Sequence, residues 1–252
     1  MRVKCLKKYS NEKKVPKINV PDKYFSEYNC YRDKPSEEKL YPNDKEISLY
    51  ENGRFVVYQV YDTCYFMAPI LGLIDQGRGD YIKKKIVREY KEDPTKAIVR
   101  LRDEDGLPVD IIVDKTRFGY NNRPLWLIML DKGEVVGFKL LFGKKVVDKK
   151  AFFLQFPNLK SKSSNLDEKD DNMTFLKYFL SRNKLVMGST NGLDFAKIQK
   201  DHVMYFKKYD ENYVYGIESI NGEFKISIAN FNKMSNLHAA ELPGDKEKAK
   251  KS

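Results

Sequence analysis

The sequence contains few histidines and cysteines, with two and three among 252 residues, and a single tryptophan. The cysteines, Cys5, Cys30 and Cys64, are odd in number, and their spacings form no CxxC motif. A disulfide framework is therefore not expected, and a Cys/His zinc site would need carboxylates from scattered positions. We predict no metal site from these residues.

Long hydrophobic runs are also absent, since no segment approaches the roughly 18 apolar residues that a membrane-spanning helix requires. The first residues, MRVKCLKKYSNEKK, are basic, but no apolar run of the kind found in signal peptides follows them. We therefore expect no membrane-spanning segment, and a location in the cytoplasm or export without a classical signal peptide. A hydrophobic content of 41% is sufficient for a core without disulfide or metal support.

Most of the net charge of +11 lies at the two ends of the chain. Residues 1–17 contain seven Lys or Arg and one Glu, and residues 242–252 contain four Lys and two acidic residues. A nucleic-acid-binding domain concentrates its positive charge on a folded face, so a nucleic-acid partner is not expected. We interpret the ends as solubilising segments, and binding of an anionic surface through them stays an alternative.

Composition divides the chain into three parts. Residues 1–48 are Lys-rich and contain four prolines, which predicts an extended arm. Residues 49–241 have the apolar content of a single folded domain, and residues 242–252 are predicted to be a disordered basic tail. The oligomeric state is left open by these features.

Periodicity and turn residues place the secondary structure within the central part. Helices are predicted at residues 64–77, with Asp62 or Thr63 near the N-cap, at 80–93, and at 174–186, with a cap at Asn172 or Thr174. Strands are predicted at 54–60, 97–101, 108–114, 151–156, 202–206, 213–219 and 223–229, while 157–172 is a loop and 122–142 is either a helix or a hairpin. The Asp105-Gly106 turn predicts that 97–101 and 108–114 form a hairpin, and turns at 209–212 and 221–222 predict that the last three strands form an antiparallel meander. Because helices do not alternate regularly with strands, the predicted class is α+β rather than a doubly wound parallel sheet.

The candidate for chemistry is Cys64, at the start of the helix in CYFMAPILGLIDQG. Unpaired N–H groups at a helix N-terminus stabilise the thiolate, which is the nucleophilic form of cysteine. The alternative is a buried cysteine that serves only as a small hydrophobic side chain.

Two further residues complete a candidate triad. His202 opens the strand HVMYF, from which an imidazole could reach a thiol and act as its base, whereas His238 lies in a segment expected to be poorly ordered. In KISIAN, strand alternation places Asn230 on the same face as Ile226 and Ile228, where its amide could orient the imidazole. The alternatives are an exposed or capping His202 and an Asn230 that merely enters a turn, with Asn232 as a second candidate.

Several segments resemble the calpain-like and papain-like cysteine proteases. YDTCYFMAPILGLI resembles the active-site helix of these proteases, and IVRLRDEDGLPVDIIVD resembles the hairpin that follows it. DHVMYF and ISIAN resemble the histidine and asparagine strands, in the family's order Cys, His, Asn. The similarity covers residues 54–118 and 198–236.

The resemblance implies a papain-like fold in which an active-site helix packs against an antiparallel sheet. It also implies that Cys64 is the nucleophile, His202 the general base and acid, Asn230 the orienting residue and Gln59 the oxyanion donor. The implied function is a cysteine endopeptidase with a protein or peptide substrate and no cofactor, calcium being suggested by the resemblance alone. A catalytically inactive binding module of the same fold and a related Cys–His acyltransferase are the alternatives.

Overall fold

The computed structural model is an α+β protein with mainly antiparallel sheets and separate helices. The predicted class is therefore confirmed at this level. The structure describes residues 15–20, 34–42, 46–60, 63–117, 123–142, 160–161, 171–190, 202–234 and 236–241. None of the helices in this part of the chain is both long enough and apolar enough to cross a membrane.

The elements are numbered in chain order. The strands are β1 (Lys17–Val20), β2 (Tyr50–Glu51), β3 (Arg54–Phe55), β4 (Val87–Glu89), β5 (Lys96–Arg102), β6 (Pro108–Asp114), β7 (Lys160–Ser161), β8 (Leu185–Ser189), β9 (Val203–Tyr209), β10 (Tyr213–Glu218), β11 (Gly222–Ser227) and β12 (Asn236–Ala240). The α-helices are α1 (Cys64–Asp75), α2 (Gly79–Tyr81), α3 (Leu125–Phe142), α4 (Asn172–Leu180) and α5 (Ile228–Phe231), and a π-helical turn covers Ile82–Ile86.

The described residues form two compact units. The first unit holds those within 1–43, 84–121 and 125–155, and the second holds those within 44–83, 122–124 and 156–252. This division differs from the predicted arm (1–48), single domain (49–241) and tail (242–252). Residues of the predicted arm form β1, which pairs with β6 in the first unit, and residues 242–252 lie outside the described part.

The first unit contains a four-stranded sheet in the order β1-β6-β5-β4, with β1 parallel to β6 and the other pairs antiparallel. The predicted hairpin of β5 and β6 is confirmed, and Gly106 in its turn has a φ of 74° that favours glycine. Helix α3 packs against β5 and β6, which resolves the ambiguity at residues 122–142 in favour of a helix. A Cβ atom at Gly133 would lie 2.3 Å from the Cβ of Val99, so glycine allows this close contact.

The second unit contains a six-stranded antiparallel sheet in the order β11-β10-β9-β8-β12-β7 and a short β2–β3 hairpin. Helix α1 packs across β8, β9 and β10, while α4 packs on β8 and α5. The core beside α4 is formed by apolar side chains of the helices and central strands: Met173, Phe175, Leu176, Val186, Met204, Phe206, Val214, Ile226, Phe231, Met234, Leu237 and Ala239.

Helix α1 confirms the strongest of the predicted helices. All residues from Phe66 to Ile74 are buried, as expected for a helix that is apolar on every side and lies within a core. Pro69 lies inside the helix without ending it. At its C-terminal end, the hydroxyl of Tyr205 donates to Asp75 (3.2 Å) and accepts from Gln76 (3.1 Å), which joins the helix to β9.

Other predicted elements need correction. The helix at 80–93 is wrong beyond Ile86, because Val87 is fully buried and pairs with Val99, and this tertiary pairing makes 87–89 a strand. The strand at 54–60 is reduced to Arg54–Phe55.

The helix at 174–186 begins earlier, at Asn172, with Asp171 as its cap, and ends at Leu180. Residues from Leu185 onward form β8. The three-stranded meander is confirmed, except that Ile228 and Ala229 belong to α5. The strand at 151–156 and most of the loop at 157–172 lie outside the described residues, and Lys160–Ser161 forms β7.

Candidate functional site

Cys64 is the first residue of α1, and its side chain is partly buried. Thr63, which precedes it, makes no side-chain hydrogen bond that caps the helix. The first N–H groups of an α-helix have no carbonyl partner within the helix, so they can stabilise negative charge on a side chain or a bound group. The structure therefore places the predicted nucleophile at the end of the helix that favours a thiolate.

His202 lies immediately before β9, and its backbone is held on both sides by Thr190. The His202 N–H donates to Thr190 Oγ1 (3.0 Å), and the Thr190 N–H donates to the His202 carbonyl (3.1 Å). The residue is buried, with 3% of its surface exposed. The side chain of Cys64 is close enough to the imidazole to raise the pKa of His202, so the structure brings the predicted Cys–His pair together.

Glu218 is the second partner of His202. It ends β10, the strand next to β9, and its Oε2 atom lies 3.1 Å from His202 Nε2. The carboxylate also accepts hydrogen bonds from the backbone N–H groups of Ile220 (2.8 Å) and Asn221. Both side chains of the His202–Glu218 pair are 3% exposed, so bulk water screens their interaction weakly.

The electrostatics of the pair favour a protonated imidazole. Burial alone would lower the pKa of His202, but its hydrogen bonds to Cys64 and Glu218 and their negative charges outweigh burial and raise it to about 9. Burial alone would raise the pKa of Glu218, but hydrogen bonds from His202 and the two backbone N–H groups outweigh it and lower the pKa. At neutral pH an imidazolium therefore lies between the Cys64 side chain and the Glu218 carboxylate.

Gln59 also belongs to this site, through Ser219. The Ser219 hydroxyl donates to Gln59 Oε1 (2.6 Å) and lies 3.5 Å from His202 Nε2, while the Gln59 N–H donates to the Ser219 carbonyl (2.7 Å). Because its oxygen is bound to Ser219, the amide nitrogen of Gln59 is the end directed away from Ser219. This orientation is compatible with the donor role predicted for Gln59, which stays a prediction.

The position predicted for Asn230 needs correction. Asn230 lies in the short helix α5, where its N–H donates to Ser227 Oγ (3.3 Å), and the strand alternation used to place it does not apply. The β10–β11 register pairs Ser227 with Tyr213, at the opposite end of β10 from Glu218. The five steps from Tyr213 to Glu218, at roughly 3.3 Å each, place Ser227 and the start of α5 roughly 17 Å from the Glu218 end of β10. The side chain beside His202 is that of Glu218.

Sequence reasoning missed Glu218, although a signal for it was present. The turn between β9 and β10 was recognised, and counting back from it along both strands places the end of β10 beside the start of β9. With Ile217 opposite Tyr205, the next pair is Glu218 opposite Met204, two residues from His202. The other histidine, His238, lies in β12 opposite Met187 rather than in an unstructured segment.

Among the described residues, no group of three or more His, Cys, Asp or Glu side chains is arranged to hold a metal ion. No protein-family model matches the chain, and no curated protein matches its sequence. Function is therefore inferred from the geometry of the Cys64–His202–Glu218 cluster.

Proposed function

We propose that the chain is a cysteine endopeptidase in which Cys64, His202 and Glu218 form the catalytic triad. The observation that carries the proposal is the position of His202, whose Nε2 atom lies 3.1 Å from Glu218 and whose imidazole is close enough to Cys64 for the cysteine side chain to raise its pKa. This arrangement places the imidazole between a thiol and a carboxylate. The thiol then serves as the nucleophile, the imidazole as its base and the carboxylate as the group that orients the imidazole.

The chemistry follows from these roles. The Cys64 thiolate attacks the carbonyl carbon of a peptide bond, and the resulting oxyanion accepts hydrogen bonds from the Cys64 backbone N–H and the Gln59 amide nitrogen. The His202 imidazolium transfers its proton to the leaving amine as the C–N bond breaks, which leaves a thioester on Cys64. His202 then removes a proton from water, which attacks the thioester, and collapse of this intermediate releases the acid and restores the thiolate.

Glu218 holds the imidazole in position during this cycle. Its contact is with Nε2, so the ring nitrogen left for the thiol is Nδ1. The buried carboxylate also stabilises the imidazolium form, because an opposite charge at hydrogen-bonding distance favours the charged state. Glu218 takes the role that the sequence resemblance assigned to Asn230.

We also propose that the second unit is a divergent papain-like domain. Support comes from the nucleophile at the N-terminus of a buried helix, α1, and from the packing of that helix on the antiparallel strands β8, β9 and β10. The histidine at the start of one of these strands has the position expected from the resemblance. The carboxylate in the third position is the main departure.

That carboxylate favours a second candidate function, a Cys–His acyltransferase of the transglutaminase type. Such enzymes normally use a carboxylate as the third member of the triad and form the same thioester, which an amine attacks instead of water. Incubation with a glutamine-containing peptide and a fluorescent primary amine distinguishes the two. Incorporation of the amine without hydrolysis of the peptide would indicate the transferase.

The thiolate itself is tested by alkylation with iodoacetamide at pH 7, followed by mass spectrometry of each cysteine. Cys64 should react at least about 10-fold faster than Cys5 and Cys30, since the thiolate is the reactive form and His202 stabilises it. A His202→Gln variant should lose this preference, and His238→Gln should keep it. Equal labelling of the three cysteines would contradict the proposal and favour an inactive binding module.

A further inference from the structure

The second unit contains a cleft of about 640 Å³, here called the hairpin cleft, along the β2–β3 hairpin and the segment that follows it. Its size is within the range of pockets that bind small molecules or short peptides. The residues that line it are Glu51, Asn52, Arg54, Phe55, Val56 and Tyr58. No part of the triad lines this cleft, and the proposed chemistry gives it no role.

The hairpin cleft is joined to the proposed catalytic residues at two points. Tyr58 is followed directly by Gln59, whose backbone N–H is bonded to Ser219 next to Glu218 (2.7 Å). The hairpin itself lies against the turn between β10 and β11, since a Cβ atom at Gly222 would be 3.2 Å from the Phe55 ring. The cleft is therefore at the end of the sheet that holds His202 and Glu218. Gln59, which precedes Cys64 by five residues, is bonded to Ser219 at this end.

Two aromatic rings of the hairpin cleft are held in place by neighbouring side chains. The guanidinium of the buried Arg123 lies 5.3 Å from the centroid of the Tyr58 ring, a cation–π contact that fixes the ring. The ring of Phe55 packs on Tyr50 with centroids 5.5 Å apart. Both rings are partly exposed where they line the cleft. They therefore form an apolar surface that is already ordered before a ligand binds.

The charges at the hairpin cleft are balanced. Glu51 and Arg54 are directly opposite each other in the β2–β3 register, and both are exposed. A ligand with one sign of charge gains attraction from one of them and repulsion from the other, so the cleft does not select for charge. A neutral polar backbone with an apolar side chain fits this combination of balanced charges and fixed rings.

We infer that the hairpin cleft binds an extended peptide segment through one aromatic or large aliphatic side chain, which packs on Phe55 and Tyr58. The role of this cleft in selecting peptides for cleavage rests on the proposed peptidase function. Because burial of such a side chain is favourable, the cleft should prefer it by about 10-fold or more over a small side chain.

The test uses the full chain and a set of fluorescein-labelled, glycine-rich hexapeptides that carry one Phe, Leu, Ala, Asp or Lys residue. Binding is measured by fluorescence anisotropy with the Cys64→Ala variant, which cannot cleave them. The Phe and Leu peptides should bind about 10-fold more tightly than the Ala peptide. Tyr58→Ala should abolish the difference, while Tyr58→Phe should retain it because the ring is kept.

Tyr178→Ala is the matched control, because Tyr178 is also a tyrosine with an arginine on its ring (Arg182, 3.7 Å) but lies on α4. This variant should bind like the parent. Equal affinity for all peptides, tightest binding of the Asp or Lys peptide, or an unchanged preference in Tyr58→Ala would overturn the inference.

Cleavage of quenched versions of the same peptides by the unmodified chain separates the two proposals. Binding that depends on Tyr58 without cleavage or Cys64 labelling would support the cleft and contradict the peptidase. Cleavage with no dependence on Tyr58 would support the peptidase and contradict the cleft.

Discussion

At the scale of single residues, the proposed function depends on the protonation of His202. In the proposed mechanism, an imidazolium beside Cys64 stabilises the thiolate before attack and supplies the proton that the leaving amine needs. Glu218 makes this possible, because a carboxylate within 3.1 Å of Nε2 offsets the cost of burying a cation. An amide in the same position would orient the ring but would add no charge.

Replacement of Glu218 by Gln should therefore change the pH dependence of Cys64 alkylation. In the parent chain, we expect the imidazolium to favour the thiolate form of Cys64, and this effect should be lost as the pH rises through about 9, where His202 titrates. In Glu218→Gln, the pKa of His202 should be lower by about one pH unit or more, because the opposite charge is removed. NMR titration of the imidazole C–H signals in a His238→Gln background measures this pKa directly.

Asn230→Ala is the control for this experiment. Because Asn230 lies at the other end of β10, its substitution should leave the pKa of His202 and the alkylation profile unchanged. If the pKa of His202 shifted in Asn230→Ala and not in Glu218→Gln, the result would support the role predicted for Asn230 from the sequence. It would contradict the triad proposed from the structure.

The contrast between Asn230 and Glu218 shows what sequence patterns could predict at this site. Cys64 and His202 were identified because each follows from a local feature, a helix start and a strand start. Asn230 was chosen by extending strand alternation past Ser227, where the chain instead begins a helix with the Ser227 side chain as its cap. Glu218 depends on the register of two strands, which is a property of the sheet.

At the scale of elements, the pairing of β9 with β10 has an irregularity close to the candidate site. The register changes between Tyr215 and Gly216, where β9 contains one extra residue, Lys207, and this bulge lies opposite the part of β10 that leads to Glu218. Such irregularities redirect the side chains that follow them and are frequent beside active sites. Turn residues predict a hairpin in this region, but a bulge depends on contacts between strands and has no local pattern here.

Gly216→Ala should disturb this irregularity. A Cβ atom at position 216 would lie 2.3 Å from the carbonyl oxygen of Tyr205 and 2.5 Å from the Phe224 ring, so β10 must move away from β9. We expect a loss of about 1–3 kcal/mol in the free energy of unfolding, measured by urea denaturation, and slower alkylation of Cys64 as Glu218 moves from His202.

Gly188→Ala provides the matched comparison in the same sheet. Its added Cβ would contact the ends of flexible side chains, Leu237 (2.8 Å) and Met234 (2.9 Å), which can adjust, as well as the Phe206 ring (2.9 Å). It should lower stability with little effect on the Cys64 alkylation rate. If Gly216→Ala left that rate unchanged while lowering stability, the irregularity would have no part in aligning Glu218.

The elements that were predicted correctly share a local cause. Helix α1 was predicted from a continuous apolar segment after Cys64, and the β5–β6 hairpin from an Asp-Gly turn, each encoded by neighbouring residues. Residues 87–89 were predicted to be helical because the apolar residues of 80–93 follow a helical period. In the structure they form β4, because they pair with β5. β12 and β8 are adjacent in the sheet but distant in sequence, so their pairing has no local signal.

At the scale of the whole molecule, the buried His202–Glu218 pair links stability to pH. The net charge of +11 falls toward zero as the pH approaches the isoelectric point near 9.2, so repulsion between like charges weakens over that range. This general effect favours the folded chain as the pH rises. The titration of His202 acts in the opposite direction, and the two effects are separated by a variant that lacks the imidazole.

The pKa of His202 is raised from 6.5 to about 9 in the folded chain, so its contribution to stability is complete below about pH 6.5 and is lost as the pH rises through 9. The shift corresponds to about 3 kcal/mol.

This linkage is measured by chemical denaturation at intervals from pH 6 to 9.5. Relative to His202→Gln, the parent chain and His238→Gln should show a decrease in the free energy of unfolding as the pH rises. In His202→Gln the curve should be flat or rising, since only the general charge effect remains. Parallel curves for the parent and His202→Gln would show that the imidazole is not held as a cation in the folded state.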